Sequence, residues 1–399
     1  MYNITNIGLL LYIIIMFKAL SIFCILTMSY CYEYSVDGPY ECGYREFTLS
    51  NYTFATIGVY YPIDKEQYAN SPRTVRRLRE GLKTLKGLRN AIPEVPEFLL
   101  RYSILTNLDV VENADLHTDF TTGSKELVPV IFSHGLTANR TISSYSAREL
   151  VSFGCIVYAL DHTDSSGSYF LNRKIDPPQD VFCTKYNAEL HKVSHEKYRQ
   201  NQLKIRVEDI NGLLEYIKTQ EIKDIPAINL AKLVMAGHSM GGMTSLEACY
   251  HFQDLKYCIS IDPFFVARWQ QIEKNDEFAI KQPLCIINSQ YFHKVHPLVQ
   301  AFDSFKTLEK FYGDCLHLQK NKNISYNLIM PNTDHYNQTD PCLSEGMSLK
   351  LMGMVPITSD AYAKLKEMNL LMVAFLNECE LLPISCNLKV KEFKETEII

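Results

Sequence analysis

Short runs that are apolar on both faces recur along the chain at 128–133, 155–161, 232–236, 257–261, 284–288 and 325–330. Such runs read as buried parallel strands, because strands covered on both sides lose the inside–outside alternation. Segment 53–61 does alternate, and predicts an antiparallel strand ahead of Pro62. Between the runs the apolar spacing becomes helical. Segment 146–153 is one helix candidate, and 198–220 is a longer one with Leu203, Val207, Ile210, Leu214 and Ile217 on one stripe. Segments 242–252 and 359–382 complete the helical set. Strands alternating with helices predict an α/β fold with a doubly wound, mostly parallel sheet. Segment 65–107 carries no strand signal, and 167–196 lacks clear periodicity. The latter reads as a lid or rim insertion, about 165–196, on a single domain covering 32–399.

The N-terminus breaks this pattern. Residues 7–31 are apolar apart from Lys18 and a few small polar residues. The stretch reads as a secretory signal peptide over 1–31, with Ser29 and Cys31 before the cleavage point. Its length also suits an uncleaved membrane signal anchor. Either reading places the rest in the secretory lumen or outside the cell. The 12 cysteines agree with an oxidising compartment, and Cys42, Cys183, Cys315, Cys342, Cys379 and Cys386 are the expected disulfide formers. Cys155, Cys258 and Cys285 lie in strand-like runs and read as buried thiols. Asn51, Asn139, Asn323 and Asn337 head glycosylation sequons, of which the second and fourth fall in loops near the expected site.

With 47% hydrophobic and 21% charged residues, the chain has the make-up of a packed globular protein. A net charge of −5 gives no basic face for nucleic acid. No cysteine–histidine spacing suggests a zinc site, and no cofactor or metal is expected. The tail "KEFKETEII" is expected to be a solvated, frayed end.

The chemistry is concentrated at Gly237-His238-Ser239-Met240-Gly241. This G-x-S-x-G lies between an apolar strand and a helix, which is how an α/β-hydrolase lifts a nucleophilic serine out on a tight turn. A serine hydroxyl needs a histidine to take its proton and a carboxylate to orient that histidine. In this fold the chain order is serine, acid, histidine. His251, His293, His296, His317 and His335 follow Ser239, and only His335 follows the last predicted strand through a short loop. Strand 257–261 runs directly into Asp262, whereas 284–288 runs into Asn288-Ser289-Gln290 and offers no carboxylate. Asp262 is therefore the expected acid, with Asp276 and Asp303 able to replace it only through longer loops. The oxyanion donors expected are the backbone N–H groups of Met240, after the nucleophile, and Leu136, in the loop His134-Gly135-Leu136-Thr137. Asp161-His162, ending the next strand, read equally as a brace for the site or as a buried structural pair.

Several stretches resemble the plasma platelet-activating-factor acetylhydrolase family, the lipoprotein-associated phospholipase A2 group. They are "PVIFSHGLTANRTISSYSARELVSFGCIVYALDHTDSSGSYF", "GPYECGY" with "VYYP", "GHSMGG", "SIDPF" and "HYNQTD", the last keeping an H-x-N-x-x-D pattern. The similarity runs from about residue 38 to 382, with gaps. Met240 stands where the family usually has an aromatic. The resemblance implies an α/β-hydrolase that cleaves short or oxidised sn-2 acyl chains from phospholipids without calcium, as a 1-alkyl-2-acetylglycerophosphocholine esterase does. It places the acid after the sixth strand, in agreement with Asp262, and an oxyanion donor at Leu136. A lipoprotein or membrane surface as a partner, and the oligomeric state, are left open by the sequence. A carboxylesterase or lipase for other small esters is the alternative, and a non-catalytic binding protein on the same fold is the alternative from another class.

Overall fold

The computed structural model describes residues 34–50, 52–93, 103–219, 228–274, 278–295, 304–319, 324–344 and 346–398. The expected signal segment, Asn51, Asn323, His296, Asp276 and Asp303 lie outside them. The strands are β1 (Glu41–Thr48), β2 (Thr56–Ile63), β3 (Val111–Glu112), β4 (Val128–Ser133), β5 (Cys155–Asp161), β6 (Tyr169–Asn172), β7 (Gln179–Phe182), β8 (Val234–His238), β9 (Tyr257–Ile261), β10 (Leu284–Ser289), β11 (Tyr326–Met330) and β12 (Glu397–Ile398). The principal helices are α1 (Leu82–Ala91), α2 (Ser144–Ser152), α3 (His195–Thr219), α4 (Met240–His251), α5 (Ser304–Leu318) and α6 (Ala361–Glu378).

Ten of the described strands form one sheet in the order β12-β11-β10-β9-β8-β4-β5-β2-β1-β3. The run β11-β10-β9-β8-β4-β5 is parallel throughout. The β2 strand joins it antiparallel to β5, and β1 pairs antiparallel with β2. Side chains of a strand alternate between faces, so each central strand feeds two apolar layers. In β10, Leu284 and Ile286 enter one core while Cys285 and Ile287 enter the other. The first core takes Leu203, Ile210, Leu213, Leu214 and Ile217 of α3 and Met243 and Leu246 of α4. The second takes Leu150 of α2 and Leu365, Met368, Met372 and Phe375 of α6. Burying each such side chain stabilises the fold by about 1.5–3 kcal/mol, and a sheet covered on both faces is what the two-sided apolar runs require.

Three expectations are corrected. The ten described cysteines are free thiols, including Cys42, Cys183, Cys315, Cys342, Cys379 and Cys386. Cys42, Cys342 and Cys379 belong to one apolar core and Cys315 to the core on the other face of the sheet, so they serve as small apolar groups. Burial pushes the Cys183 thiol up to about 11 and those of Cys315 and Cys379 up to about 12, which suppresses the thiolate that disulfide exchange needs. The acidic tail is not frayed at its end, because β12 pairs antiparallel with β11, Ile398 opposite Leu328. Residues 165–196 hold the β6–β7 hairpin, which packs on α1. A Cβ on Gly87 of α1 would lie 1.5 Å from the Ser168 carbonyl oxygen.

Candidate active site

Ser239 sits between β8 and α4 with φ 61° and ψ −121°. A non-glycine residue in this region costs about 1–3 kcal/mol, which the surroundings must offset. They do so through its backbone: Ser239 N–H donates to the Ile261 carbonyl at 2.8 Å, and its own carbonyl accepts from Phe264 N–H at 3.1 Å. The flanking glycines allow the close approach. A Cβ on Gly237 would lie 2.3 Å from the Gly241 carbonyl oxygen, and one on Gly241 would lie 1.9 Å from that of Ser133.

Asp262 follows β9 with φ 42° and is fully buried. Its Oδ1 accepts from Ser289 N–H at 2.7 Å, and its Oδ2 accepts from Ser289 Oγ–H at 2.6 Å. The third donor is His335, whose Nδ1 lies 3.0 Å from Oδ2. Burial raises the Asp262 carboxyl above the ordinary carboxylate range, and His293, Ser289 and His238 oppose that shift. His335 opens a single helical turn after β11, set by Asp334, whose side chain accepts from His335 N–H at 2.7 Å. Its ring stacks on Phe292 at 3.8 Å between centroids and packs on His238 at 4.3 Å. Nδ1 faces Asp262, so a proton exchanged with a substrate-side group would pass through Nε2.

Ser239 and His335 line one cavity of about 300 Å³. Gly135, Leu136 and Thr137 form part of its wall, and Leu88, Ile92, Phe264, Leu349, Met352 and Met354 make it largely apolar. Among the described residues the lining comes from Arg77, Leu88, Ile92, Ser103, Pro341 and Met354 and their neighbours, not from the 165–196 insertion expected to cover the site. Met240 is the first residue of α4, so its N–H has no partner within the helix. The structure thus brings Ser239, Asp262, His335, Leu136 and Met240 to one place. Asn139, which lines the cavity, and Asn337, on the turn that carries His335, are both buried.

Sequence reasoning missed Ser289, Phe292 and His238. Ser289, directly after strand 284–288, offers no carboxylate, but its N–H and hydroxyl hold the one on Asp262. Among the described residues His238, Asp262 and His335 also place their ligand atoms within 4.8 Å of one another, a spacing a metal ion accepts. Both oxygens of Asp262 already receive hydrogen bonds there, so an ion would have to displace them.

Burial, reinforced by His335, holds His238 near pKa 3, and burial holds His293 near 4. Both rings are neutral at physiological pH. An unfolded histidine titrates near ~6.5, so below that pH the unfolded chain binds protons that these sites refuse. Their contribution to stability is present above pH ~6.5 and is lost as pH falls toward the folded values. Replacing His293 with asparagine is expected to remove up to about 3 kcal/mol of this acid destabilisation between pH 7 and 4. Paired Tm–pH curves check it. Curves of wild type and variant that stay parallel down to pH 4 would contradict the assignment.

The family described as platelet-activating factor acetylhydrolase, isoform II, matches residues 29–387. A platelet-activating factor acetylhydrolase of Cavia porcellus is 25% identical over 368 residues, covering 86% of this chain and 76% of the relative. A putative phospholipase A2 of Schizosaccharomyces pombe is 23% identical over 401 residues, covering 87% and 88%. Among solved structures, a ferulic acid esterase from Streptomyces cinnamoneus superposes with a TM-score of 0.61 over 92% of this chain and 98% of its own, at 14% identity. That likeness, with the parallel sheet and its flanking helices, identifies the α/β-hydrolase fold. The family match spans most of the sequence, and the chain belongs to the platelet-activating factor acetylhydrolase, isoform II, family.

Proposed function

We propose that this chain is a calcium-independent serine esterase that hydrolyses the sn-2 ester of phospholipids carrying short or oxidised acyl chains. The observation that carries the reading is one apolar cavity lined by a serine at a strained strand-to-helix turn and by a histidine whose Nδ1 is held by a buried carboxylate 3.0 Å away. The names of the relatives support phospholipid as the substrate class. A cavity of about 300 Å³ is at the lower end for small-molecule sites and suits a short acyl chain.

In this mechanism Ser239 Oγ attacks the ester carbonyl carbon while His335 Nε2 takes its proton. Asp262 holds the tautomer and stabilises the imidazolium. The tetrahedral oxyanion receives the Leu136 and Met240 N–H groups, the second assisted by the positive end of α4. Collapse expels the lysophospholipid oxygen, which takes the proton from His335. Water then gives a proton to His335 and attacks the acyl carbon, and Ser239 leaves with that proton as the free acid is released.

Phosphatidylcholines with sn-2 acetyl, oxidised and long chains test the substrate. The first two are expected to turn over and the third to be cleaved poorly. Preference for simple aryl or alkyl esters over all three would favour the small-ester alternative. The oxyanion is held by N–H groups in this scheme, so a calcium chelator is expected to leave the rate unchanged. Activity that disappears with chelator and returns on adding calcium would contradict it.

A further inference from the structure

Beneath the loop that follows β4 lies a polar cluster, sealed from solvent, that the reaction scheme does not use. Arg206 on α3 is fully buried and pairs with Asp164 at 2.8 Å. Its Nη1 donates to the His134 carbonyl at 2.6 Å, and its Nη2 donates to Ser166 Oγ at 2.5 Å and reaches the Gly135 carbonyl at 3.5 Å. The Gly135 carbonyl also has a closer partner, His134 Nδ1 at 2.7 Å. A carbonyl only accepts, so that nitrogen carries the proton. His134 Nε2 is then the acceptor, as its contact with the His162 N–H at 3.3 Å requires. Burial, with Arg206 and His162 nearby, holds the His134 ring neutral.

Behind this stands a second serine–histidine–aspartate array. Ser133 Oγ lies 2.8 Å from His162 Nε2, and His162 Nδ1 lies 3.2 Å from Asp209 Oδ2. Asp209 also accepts from Thr163 N–H and Oγ–H. Ser133 and Asp209 are entirely buried and His162 almost so, so no ester can reach this serine. The array braces the end of β4, where the loop 134–137 begins. At the loop's far side Thr137 has φ 64°, and its N–H donates to the Ser166 carbonyl at 2.7 Å.

The consequence lies in one peptide group. The Gly135–Leu136 bond is not among the cis peptides, and in a planar trans peptide the carbonyl and the next N–H point to opposite sides. With the Gly135 carbonyl drawn into the cluster, the Leu136 N–H is turned away from it, to the side on which Leu136 and Ser239 line the cavity. Gly135 faces the serine closely enough that a Cβ there would lie 3.0 Å from Ser239 Cβ. Donors on the carbonyl also polarise the peptide and strengthen its N–H as a donor.

We propose that Arg206 and His134 are positioning residues for the oxyanion hole, clamping the Gly135 carbonyl from inside the core and so aiming the Leu136 N–H at the oxyanion formed on Ser239. The inference rests on the serine-esterase reading above. It also accounts for a buried arginine that substrate never touches.

The test compares His134→Leu, which removes the donor, with His134→Asn, which restores one at similar reach, using a nitrophenyl ester. His134→Leu is expected to lower kcat by about 10²-fold, as loss of an oxyanion donor does, with KM within roughly 3-fold. His134→Asn should recover most of the loss. Affinity for a trifluoromethyl ketone, which forms a tetrahedral adduct on the serine, should fall in parallel with kcat. Affinity for a non-hydrolysable ether analogue should not change. Should His134→Leu fail to fold, Arg206→Lys keeps a charge for Asp164 but cannot span both carbonyls, and about a 10-fold loss in kcat and in ketone affinity is expected. A folded His134→Leu with kcat within 3-fold of wild type would overturn the proposal. So would equal losses for the ketone and the ether, or an Arg206→Lys without effect. Wild type and Ser239→Ala run alongside. If wild type is inactive, or Ser239→Ala keeps activity, the esterase reading fails; if those controls behave and the clamp variants do not, only the positioning role fails.

Discussion

Replacing Ser239 with alanine is expected to lower turnover by about 10⁶-fold, the scale seen when the nucleophile of a serine hydrolase is removed. The expectation follows from position. Ser239 is the residue at the turn between β8 and α4, its φ is 61°, and it lines the cavity with His335. Its backbone hydrogen bonds to Ile261 and Phe264 do not involve the hydroxyl, so the turn survives the change. Folding should be preserved, with Tm within a few degrees, while labelling by an organophosphonate ester disappears. Labelling that persists in the variant would put the nucleophile elsewhere.

The second large effect belongs to Asp262→Asn, with an expected loss of about 10⁴-fold in kcat by analogy with the serine-protease aspartate. Asp262 presents acceptors to Ser289 N–H, Ser289 Oγ–H and His335 Nδ1 at once. An asparagine has the same shape but one oxygen and one NH₂. If its oxygen stays with Ser289 N–H, the NH₂ faces His335 and favours the tautomer with the proton on Nε2, which cannot accept from serine. If the amide turns round, the NH₂ faces the Ser289 N–H. Either arrangement leaves a buried mismatch, so some loss of stability accompanies the loss of rate. Asp314→Asn is the control, since that carboxylate is half-exposed and its ion pair among the described residues is with Lys310, one helical turn away. It should stay within about 0.5 kcal/mol in stability and within a few-fold in rate. Equal losses in the two variants would remove Asp262 from its role.

Much of the framework was legible because the physics was local. The runs at 128–133, 155–161 and 257–261 coincide with β4, β5 and β9, since buried parallel strands in short α/β units leave unbroken apolar stretches. The serine turn could be read from its glycines, and Asp262 and His335 from their places after strands. The β1 strand carries a weak signal: "ECGYREFT" alternates only partly, because Glu46 on one face pairs with Arg79 and Arg140 while Arg45 on the other lies over the Tyr61 ring and donates to the Ala114 carbonyl. The rim of the cavity was also illegible. Its described part includes Leu78, Leu88 and Ile92 on one side and Leu349, Met352 and Met354 on the other, far apart in sequence and without a shared pattern. Ser289 and Arg206 act only through contacts across the fold, which no spacing along the chain reveals. The expected disulfide formers are instead free thiols: Cys42, Cys342 and Cys379 are buried in one core with Cys386 packed against it, Cys315 is buried in the other, and the Cys183 thiol donates to the Ser166 carbonyl.

In the proposed reaction an acyl group passes through Ser239. Mixing the protein with an sn-2 acetyl phosphatidylcholine, quenching in acid within one turnover and mapping the peptides by mass spectrometry tests it directly. An acetyl group is expected on the peptide that carries Ser239, appearing before free acetate and absent from the Ser239→Ala protein. Steady release of acetate with no acetyl on that peptide, or acetyl on another side chain that turns over at the same rate, would contradict it.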